Sequence, residues 1–149
     1  MHCGLCSVCI APGRDDVDTV GWGVTSWLAK YANDDCCDLT TTGRRSGNPH
    51  EIEIWFGVID DTMYLISGNG PTADWYRNAL ANPQVSVRVK RETRNGLARD
   101  VNDPHERRRV GDLMGEKYPW EGDSSIGLTR RAWCYDVPVL AIDRWSDDE

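Results

Sequence analysis

The pattern of apolar and polar residues predicts a chain built mostly from half-buried β-strands. The clearest alternation lies in 50–57, where Ile and Phe occupy one face and two Glu with Trp55 occupy the other. An Asp-Asp turn at 60–61 indicates a hairpin between this segment and the next strand. Further β-branched or alternating segments predict strands at 38–42, 62–67, 84–90, 93–101 and 131–142.

Three other segments have helical patterns. In 16–31 the apolar residues recur at steps of three and four, and acidic residues stand at the start, where the helix dipole favours them. A short helix is expected at 73–81, with Thr72 as its N-cap. The third runs from 104 to about 118, because Asp103 is a good cap and proline suits the first helical position.

The order of these elements narrows the fold class. Strands and helices do not alternate regularly, which argues against a doubly wound parallel sheet. About six antiparallel strands with an N-terminal helix and two inserted helices indicate a mainly β (α+β) domain, a small barrel. We expect one domain at 14–145, an irregular tail at 1–13 and an acidic tail at 146–149.

Composition limits the kind of partner. The chain has 149 residues, with 17 Lys+Arg against 24 Asp+Glu and a formal charge of −7. This charge argues against a general nucleic-acid binder, which needs a basic face. No apolar run has the ~18–20 residues that span a bilayer. The N-terminus lacks the basic start and apolar stretch of a secretory signal, so we expect a cytoplasmic protein.

Six cysteines raise the question of a metal site. Cys3, Cys6 and Cys9 stand three residues apart, and the Cys36–Cys37 pair could add a ligand to a zinc or iron–sulfur site. No second pair has matching spacing, and no His pair has metal-ligand spacing. We therefore predict no metal and free thiols in a reducing compartment, with Cys134 buried in a strand.

Two glycine-rich turns and one strand face are candidate sites. The turn after strand 38–42 carries Arg44, Arg45, Ser46 and Gly47, a set that suits an anion unless the turn is simply solvated. The loop 67–70, Ser67-Gly68-Asn69-Gly70, leads into a helix and could offer N–H donors to an anion or carbonyl, or be an ordinary connection.

Trp55 is unusual on a strand face open to water, so a cofactor or a partner subunit is expected to cover it. Glu53 on the same face could act as a base or hydrogen-bond acceptor.

Three segments together resemble the deazaflavin-dependent nitroreductase family. They are Leu-Thr-Thr-Thr-Gly-Arg-Arg-Ser-Gly-Asn-Pro at 39–49, Asp-Trp-Tyr-Arg-Asn-Ala-Leu-Ala-Asn-Pro at 74–83, and Ala-Arg-Asp at 98–100 with Tyr-Pro at 118–119. The likeness covers about residues 20–145. This family belongs to the split β-barrel flavin and deazaflavin oxidoreductases, which are related to pyridoxamine-phosphate oxidases.

The resemblance implies a split β-barrel that binds coenzyme F420, or FMN as in some relatives. Such proteins transfer a hydride from the reduced deazaflavin to a small unsaturated acceptor, such as a quinone, an enone or a nitroaromatic, and a homodimer is expected. A barrel that holds a flavin or haem without turnover is the alternative. The implied cofactor contacts are Arg44, Arg45, Ser46, Gly47, Ser67, Gly68, Asn69, Gly70, Trp75 and Asn78, and the implied substrate contacts are Trp55 and Tyr118.

The chain departs from the family pattern in three ways. His50 and Asn69 stand where nitroreductase members tend to have a basic residue and a lysine. Glu121, Ser124 and Ser125 occupy a stretch in which tyrosines often serve the substrate pocket. The expected pocket is therefore less basic than that of the family, and its substrate stays open.

Overall fold

The computed structural model describes residues 27–68 and 70–147, and its centre is one antiparallel sheet of seven strands. The strands are β1 (Cys36–Thr42), β2 (Pro49–Trp55), β3 (Gly57–Ile59), β4 (Thr62–Ile66), β5 (Gln84–Val89), β6 (Glu92–Asp100) and β9 (Val139–Asp147). Their order in the sheet is β2-β1-β5-β6-β9-β4-β3. Two short strands, β7 (Gly122–Asp123) and β8 (Leu128–Thr129), form a separate pair. The helices are α1 (Asp74–Ala81), α2 (Pro104–Lys117) and α3 (Arg130–Tyr135).

Hairpins generate most of this sheet. β1 pairs with β2 and β5 with β6, as expected when consecutive strands are joined by short turns. β9 fits between β6 and β4, and β2 also lies against β4, so the sheet curls towards closure. The mainly β fold class predicted from the sequence is confirmed.

Apolar side chains cover both faces of the sheet. One cluster fills the inside of the curled sheet and includes Leu39, Phe56 and Val87, all fully buried. A second lies outside β4 and β9, beneath α2 and α3, and includes Met114 and Trp133. Burial on both faces explains why four consecutive residues of β4, 63–66, are all buried rather than alternating with exposed ones.

Two of the predicted helices are present, with one corrected start. α2 begins as expected, because the Asp103 carboxylate accepts the Glu106 amide proton at 3.1 Å. α1 begins at Asp74 with Ala73 at the cap position and no side-chain cap. The prediction of Thr72 as N-cap was wrong, since a 3-10 turn already includes that residue.

The predicted hairpin between a strand at 50–57 and the strand at 62–67 was also wrong. β2 ends at Trp55 and pairs with β1, whereas the hairpin with β4 is made by the short strand β3. The break falls at Phe56, whose backbone N–H and carbonyl bind the hydroxyl of Tyr118 at 3.2 and 2.9 Å. The Lys117 ammonium also donates to this carbonyl at 2.8 Å. Side chains from the end of α2 therefore replace the ladder bonds at this position.

The segment 131–142 is not a continuous strand. It begins as α3, whose start is capped by the Thr129 hydroxyl accepting the Ala132 amide proton at 3.0 Å. Trp133 and Cys134 are adjacent and both buried in the outer cluster, which a strand with alternating faces would not permit. Cys134 is thus buried as predicted, but in a helix. β9 follows and extends to Asp147, two residues into the predicted tail.

The N-terminal predictions fall largely outside the described part of the chain. Of the predicted helix at 16–31, only residues from 27 onward are described, and they include a 3-10 turn at Ala29–Tyr31. Cys36 lies in β1 rather than before it and is disulfide-bonded, which corrects the expected free thiol there, whereas Cys37 and Cys134 are free. Among the described helices, none has both the length and the apolar character needed to cross a bilayer.

Candidate active site

Two cavities adjoin along β2 and share Ile52 and Trp75 as lining residues. The cavity lined by Arg44 and Arg45 has a volume of about 540 Å³ and is called the arginine cavity. The cavity lined by Trp55 and Trp120 has a volume of about 420 Å³ and is called the tryptophan cavity. Both volumes lie within the roughly 300–1,000 Å³ typical of small-molecule sites. The arginine cavity is lined by Gly43, Arg44, Arg45, Ser46, His50, Glu51, Ile52, Ala73, Asp74, Trp75 and Asn78. The tryptophan cavity is lined by Ile52, Glu53, Ile54, Trp55, Ile66, Gly68, Trp75, Trp120, Asp123, Ile126 and Leu128.

The turn between β1 and β2 forms one wall of the arginine cavity. The Gly43 amide donates to the Asn48 carbonyl at 2.8 Å, and the Gly47 amide donates back to the Gly43 carbonyl at 2.9 Å. A Cβ at Gly43 would lie 2.5 Å from the Ser46 hydroxyl oxygen and 2.8 Å from His50 Nε2, so a larger residue would force these two side chains to move. Gly47 has φ +74°, a conformation that favours glycine.

Arg44 ties this turn to α1. Its backbone amide and its guanidinium both donate to the side-chain oxygen of Asn78, at 3.1 and 2.7 Å. The guanidinium also donates to the Asp74 carboxylate at 3.2 Å. A guanidinium has five N–H donors, so three remain for another acceptor. The Asp74 side chain is 83 % exposed, which makes this ion pair weak and displaceable.

Two arginines and two carboxylates line the arginine cavity. Asp74 is paired with Arg44, and Glu51 lies 3.3 Å from the Arg88 guanidinium outside the cavity, which also pairs with Asp38. Arg45 is exposed and has no ion-pair partner among residues 27–68 and 70–147. The Ser46 oxygen accepts the Asn48 amide proton at 3.0 Å and keeps its own proton for donation. The wall therefore presents one unpaired positive charge and several donors to an anion.

The tryptophan cavity runs along the free edge of the sheet. β2 is the last strand of the sheet order and pairs only with β1 among the described strands. Four consecutive residues, 52–55, line the cavity, although successive side chains of a strand point to opposite faces. A ligand here would therefore meet β2 edge-on, where its unpaired backbone groups can bind polar atoms.

A cluster of aromatic rings supports the wall of the tryptophan cavity. Trp55 stacks on Tyr118 with parallel rings 4.4 Å apart. Trp120 and Trp133 contact Trp55 edge-on at 6.0 and 5.8 Å, and contact each other at 5.2 Å. Such mutual packing holds the indole faces in fixed orientations. Trp55 is thus packed on one face against Tyr118, and its remaining surface lines the cavity.

The structure brings most of the predicted site residues together. Arg44, Arg45, Ser46, Trp75 and Asn78 line the arginine cavity, and Gly68 with Trp55 lines the other. Gly47 belongs to the turn but is not a lining residue.

The remaining predicted residues lie behind these walls or outside the described chain. Ser67 is fully buried, and its hydroxyl donates to the Gly70 carbonyl at 2.7 Å, so both residues shape the loop. Tyr118 is buried behind Trp55, and burial raises the pKa of its hydroxyl. Asn69 lies outside the described residues.

Sequence reasoning missed part of the tryptophan cavity. Trp120, Ile126 and Leu128 line it, and Trp133 supports it from below. Trp120 follows the Tyr118-Pro119 pair directly, and seven tryptophans in 149 residues are a signal that could have identified this wall. In the described part of the chain, no group of three His, Cys, Asp or Glu residues could hold a metal. Cys3, Cys6 and Cys9 lie outside it.

Solved structures with similar folds are known. An F420-H2 dependent reductase, FDR-A, matches with 24 % identity and a TM-score of 0.57 over 73 % of this chain and 94 % of that one. A protein described as a domain-swapped dimer matches with 24 % identity and a TM-score of 0.57, over 73 % and 80 %. A Listeria innocua protein that carries the name of a pyridoxamine 5'-phosphate oxidase matches with 19 % identity and a TM-score of 0.55, over 82 % and 90 %. These likenesses confirm the split β-barrel fold.

The family relationship rests on a match of the sequence itself. A model of the F420H(2)-dependent quinone reductase family matches residues 24–131, which is more than half of the chain. The matched segment contains the glycine turn, α1, the loop before it and every lining residue of the tryptophan cavity. The chain therefore belongs to the F420H(2)-dependent quinone reductase family.

Proposed function

We propose that this chain binds coenzyme F420 and transfers a hydride from its reduced form to a small quinone, enone or nitroaromatic acceptor. The observation that carries the proposal is the junction of the two cavities at Ile52 and Trp75. One cavity offers arginine and amide donors, and the other offers flat aromatic walls. This pair of environments suits a molecule with a planar ring and an anionic tail, and F420 has both.

The residues of the chain would bind and orient the reactants. Arg45 and the unused donors of Arg44 would hold the anionic tail, assisted by the Ser46 hydroxyl and the Gly47 segment of the turn. Trp55, Trp75 and the free edge of β2 would position the ring and the acceptor and exclude water from between them. When bound, reduced F420 supplies a hydride, and a quinone that takes up this hydride and one proton becomes a hydroquinone.

Titration of the purified protein with F420 and with FMN tests which cofactor it binds. Binding of F420 should quench tryptophan fluorescence at micromolar concentration, because three tryptophans line the proposed ring site. Failure of both F420 and FMN to bind would overturn the proposal, and binding of FMN alone would assign the alternative cofactor. Binding of F420 without oxidation of its reduced form by quinones, enones or nitro compounds would identify a non-catalytic binding protein.

Arginine variants test whether the anionic tail of F420 binds in the arginine cavity. Arg44→Ala and Arg45→Ala should each weaken F420 binding on the order of tenfold, since each removes charge-assisted bonds to the anionic tail. Arg108→Ala removes an exposed arginine from α2, away from both cavities, and serves as the matched control. Equal affinities for all three variants would show that the tail does not bind at this turn.

We also propose that the chain forms a homodimer. The domain-swapped dimer among the similar structures supports this expectation. Sedimentation equilibrium at micromolar concentration measures the mass directly. A mass of twice 16.8 kDa is expected, and a stable monomer would contradict the proposal.

A further inference from the structure

A separate cavity, of about 530 Å³, lies on the outer face of the sheet and shares no lining residue with the arginine and tryptophan cavities. Leu39 and Val87 point into the barrel, so the alternate residues Thr40 and Ser86 of the same strands face outwards. We call this space the outer-face cavity. It is lined by Thr40, Thr42, Gln84, Val85, Ser86, Asn95, Gly96, Leu97, Arg144 and Ser146. Among these described residues, hydroxyl and amide side chains surround a single charged one, that of Arg144.

A β-bulge in β9 places Arg144 at this cavity. The pairing of β6 with β9 shifts between positions 95 and 97, so residues 144 and 145 stand opposite Gly96 alone. Trp145 packs against the inner cluster, and its ring lies 2.9 Å from the position that a Cβ on Gly96 would take. The packing of Trp145 therefore accounts for the bulge and leaves Arg144 on the outer face.

The bulge does not account for an arginine at this position. Arg144 has φ +57°, in the left-handed region, where a residue with a Cβ is strained and glycine is not. Asp60 and Lys90 have similar φ values, but both lie in tight turns between paired strands, where such a backbone is usual. A bulge of this kind within a strand ordinarily carries glycine. The strained arginine therefore indicates a function for its side chain.

The charge of Arg144 is not neutralised by the lining. No carboxylate among the described residues lines the cavity, and Arg144 has no ion-pair partner among residues 27–68 and 70–147. Acids at neighbouring positions of the sheet are paired with arginines outside the cavity, namely Asp143 with Arg99 and both Asp38 and Glu51 with Arg88. Arg144 and Ser146 are exposed, so a ligand can enter from the solvent. A positive charge among neutral donors is thus available to an anion.

We infer that the outer-face cavity binds a small oxyanion, a phosphate or carboxylate group, through the guanidinium of Arg144. The planar fork of N–H donors matches the geometry of such groups, and the hydroxyls of Thr40, Ser86 and Ser146 add neutral donors. The group belongs either to a separate small molecule or to the end of the anionic tail of the proposed cofactor. This site is independent of the proposed function, which concerns the other two cavities.

Three variants separate binding from stability. Arg144→Gly removes the guanidinium and relieves the left-handed backbone, so its unfolding midpoint should equal or exceed that of wild type. Arg144→Lys keeps the positive charge but not the planar fork, so it should keep part of the affinity. Arg91→Ala removes an exposed arginine that does not line the cavity and is the matched control.

Inorganic phosphate is the probe, and it is titrated into ¹⁵N-labelled protein at constant ionic strength. The backbone amide resonances of Asn95, Gly96 and Ser146 should shift along a saturable curve at millimolar phosphate, because these residues line the cavity. The affinity read from this curve should fall about fivefold or more in Arg144→Gly and about twofold to threefold in Arg144→Lys. Arg91→Ala should bind phosphate as wild type does.

A parallel titration with F420 identifies the source of the group. If F420 shifts the same resonances and binds Arg144→Gly more weakly than wild type, the oxyanion belongs to its tail. If only phosphate shifts them, the cavity takes a separate anion. The oxyanion site is overturned if neither molecule gives a saturable shift that depends on Arg144. Saturable phosphate binding in a protein that does not bind F420 would support this site while the proposed function fails.

Discussion

The side-chain oxygen of Asn78 accepts two hydrogen bonds from Arg44, one from its backbone amide at 3.1 Å and one from its guanidinium at 2.7 Å. A single oxygen in α1 therefore fixes both the course of the turn after β1 and the direction of its arginine. Asn78 is 4 % exposed, so water cannot replace it freely. The relationship links the stability of the turn to the orientation of a proposed cofactor residue.

Asn78→Ala should lower both stability and cofactor affinity. Loss of the two bonds leaves a buried amide without its acceptor, which we expect to reduce the free energy of unfolding by about 1–3 kcal/mol. Affinity for F420 should fall severalfold, because Arg44 loses its preferred direction. Urea denaturation and fluorescence titration measure the two effects. Asn48→Ala, in the same turn but exposed, is the control and should change stability by less than about 0.5 kcal/mol.

The hydroxyl of Tyr118 connects three segments, and its removal should be costly. It lies 2.6 Å from the Asp35 carbonyl and 2.9 Å from the Phe56 carbonyl, and it accepts the Phe56 amide proton at 3.2 Å. Tyr118→Phe should therefore lower the free energy of unfolding by about 1–3 kcal/mol. The matched change Tyr135→Phe removes a hydroxyl that binds Asp112 at the surface, and should cost less than about 0.5 kcal/mol. Equal losses would contradict the account of the break at Phe56.

Local signals predicted much of this fold correctly. Asp103 and Pro104 marked the start of α2 because a helix N-terminus depends on the few residues that form it. The alternating valines of β5 predicted one buried face, and the strand has it. The turn at Arg44 was predicted as a candidate anion site from its glycines and arginines; it lines the arginine cavity, and its role in binding stays a prediction.

Errors arose where distant residues decide the structure. The interruption at Phe56 depends on Tyr118 and Lys117, which lie more than 60 positions away, so no pattern within β2 could show it. The helix at 130–135 replaced a predicted strand because α2 covers that segment and buries two adjacent side chains. The tryptophan cavity likewise combines residues from β2, α1 and the β7–β8 region, which only the tertiary fold brings together.

Lys117 should make stability increase between about pH 8 and pH 10. Burial lowers the pKa of its ammonium to about 8, even though Asp34 and Asp35 act in the opposite direction. In the unfolded chain the pKa returns to its ordinary value near 10.5. Between these values the unfolded state binds more protons than the folded state, so the free energy of unfolding rises with pH. The destabilisation caused by burying the charged ammonium is complete below about pH 8 and disappears above about pH 10.

Lys117→Met isolates this effect. The variant loses the bond to the Phe56 carbonyl and the contact with the Phe56 ring at 4.1 Å, but it also loses the buried charge. Wild type should gain stability relative to the variant by about 2–3 kcal/mol between pH 8 and pH 10. Chemical denaturation of both proteins at each pH gives this difference. Groups that both proteins contain, such as Cys37 and Tyr118, contribute equally to the two pH profiles, so their contributions cancel in the difference. Parallel profiles would contradict the lowered pKa.

Glu53 should bias the proposed acceptor site against anions. The lining of the tryptophan cavity includes two carboxylates, Glu53 and Asp123, but no lysine or arginine. Asp123 already accepts two bonds from Ser125, at 3.0 Å from its amide and 2.6 Å from its hydroxyl, whereas Glu53 is exposed at the edge of β2. A negative acceptor bound within several Å of Glu53 would experience a repulsion of about 1 kcal/mol at low salt.

Replacement of this charge tests the bias. Glu53→Gln should raise kcat/KM for a sulfonated naphthoquinone about threefold to tenfold, with little change for neutral menadione, because only the anion interacts with the lost charge. The gain should shrink as salt is added, since screening weakens the same repulsion in wild type. Glu116→Gln, on the exposed side of α2, is the matched control and should leave the ratio of the two substrates unchanged. An identical ratio in Glu53→Gln would place the acceptor away from the edge of β2.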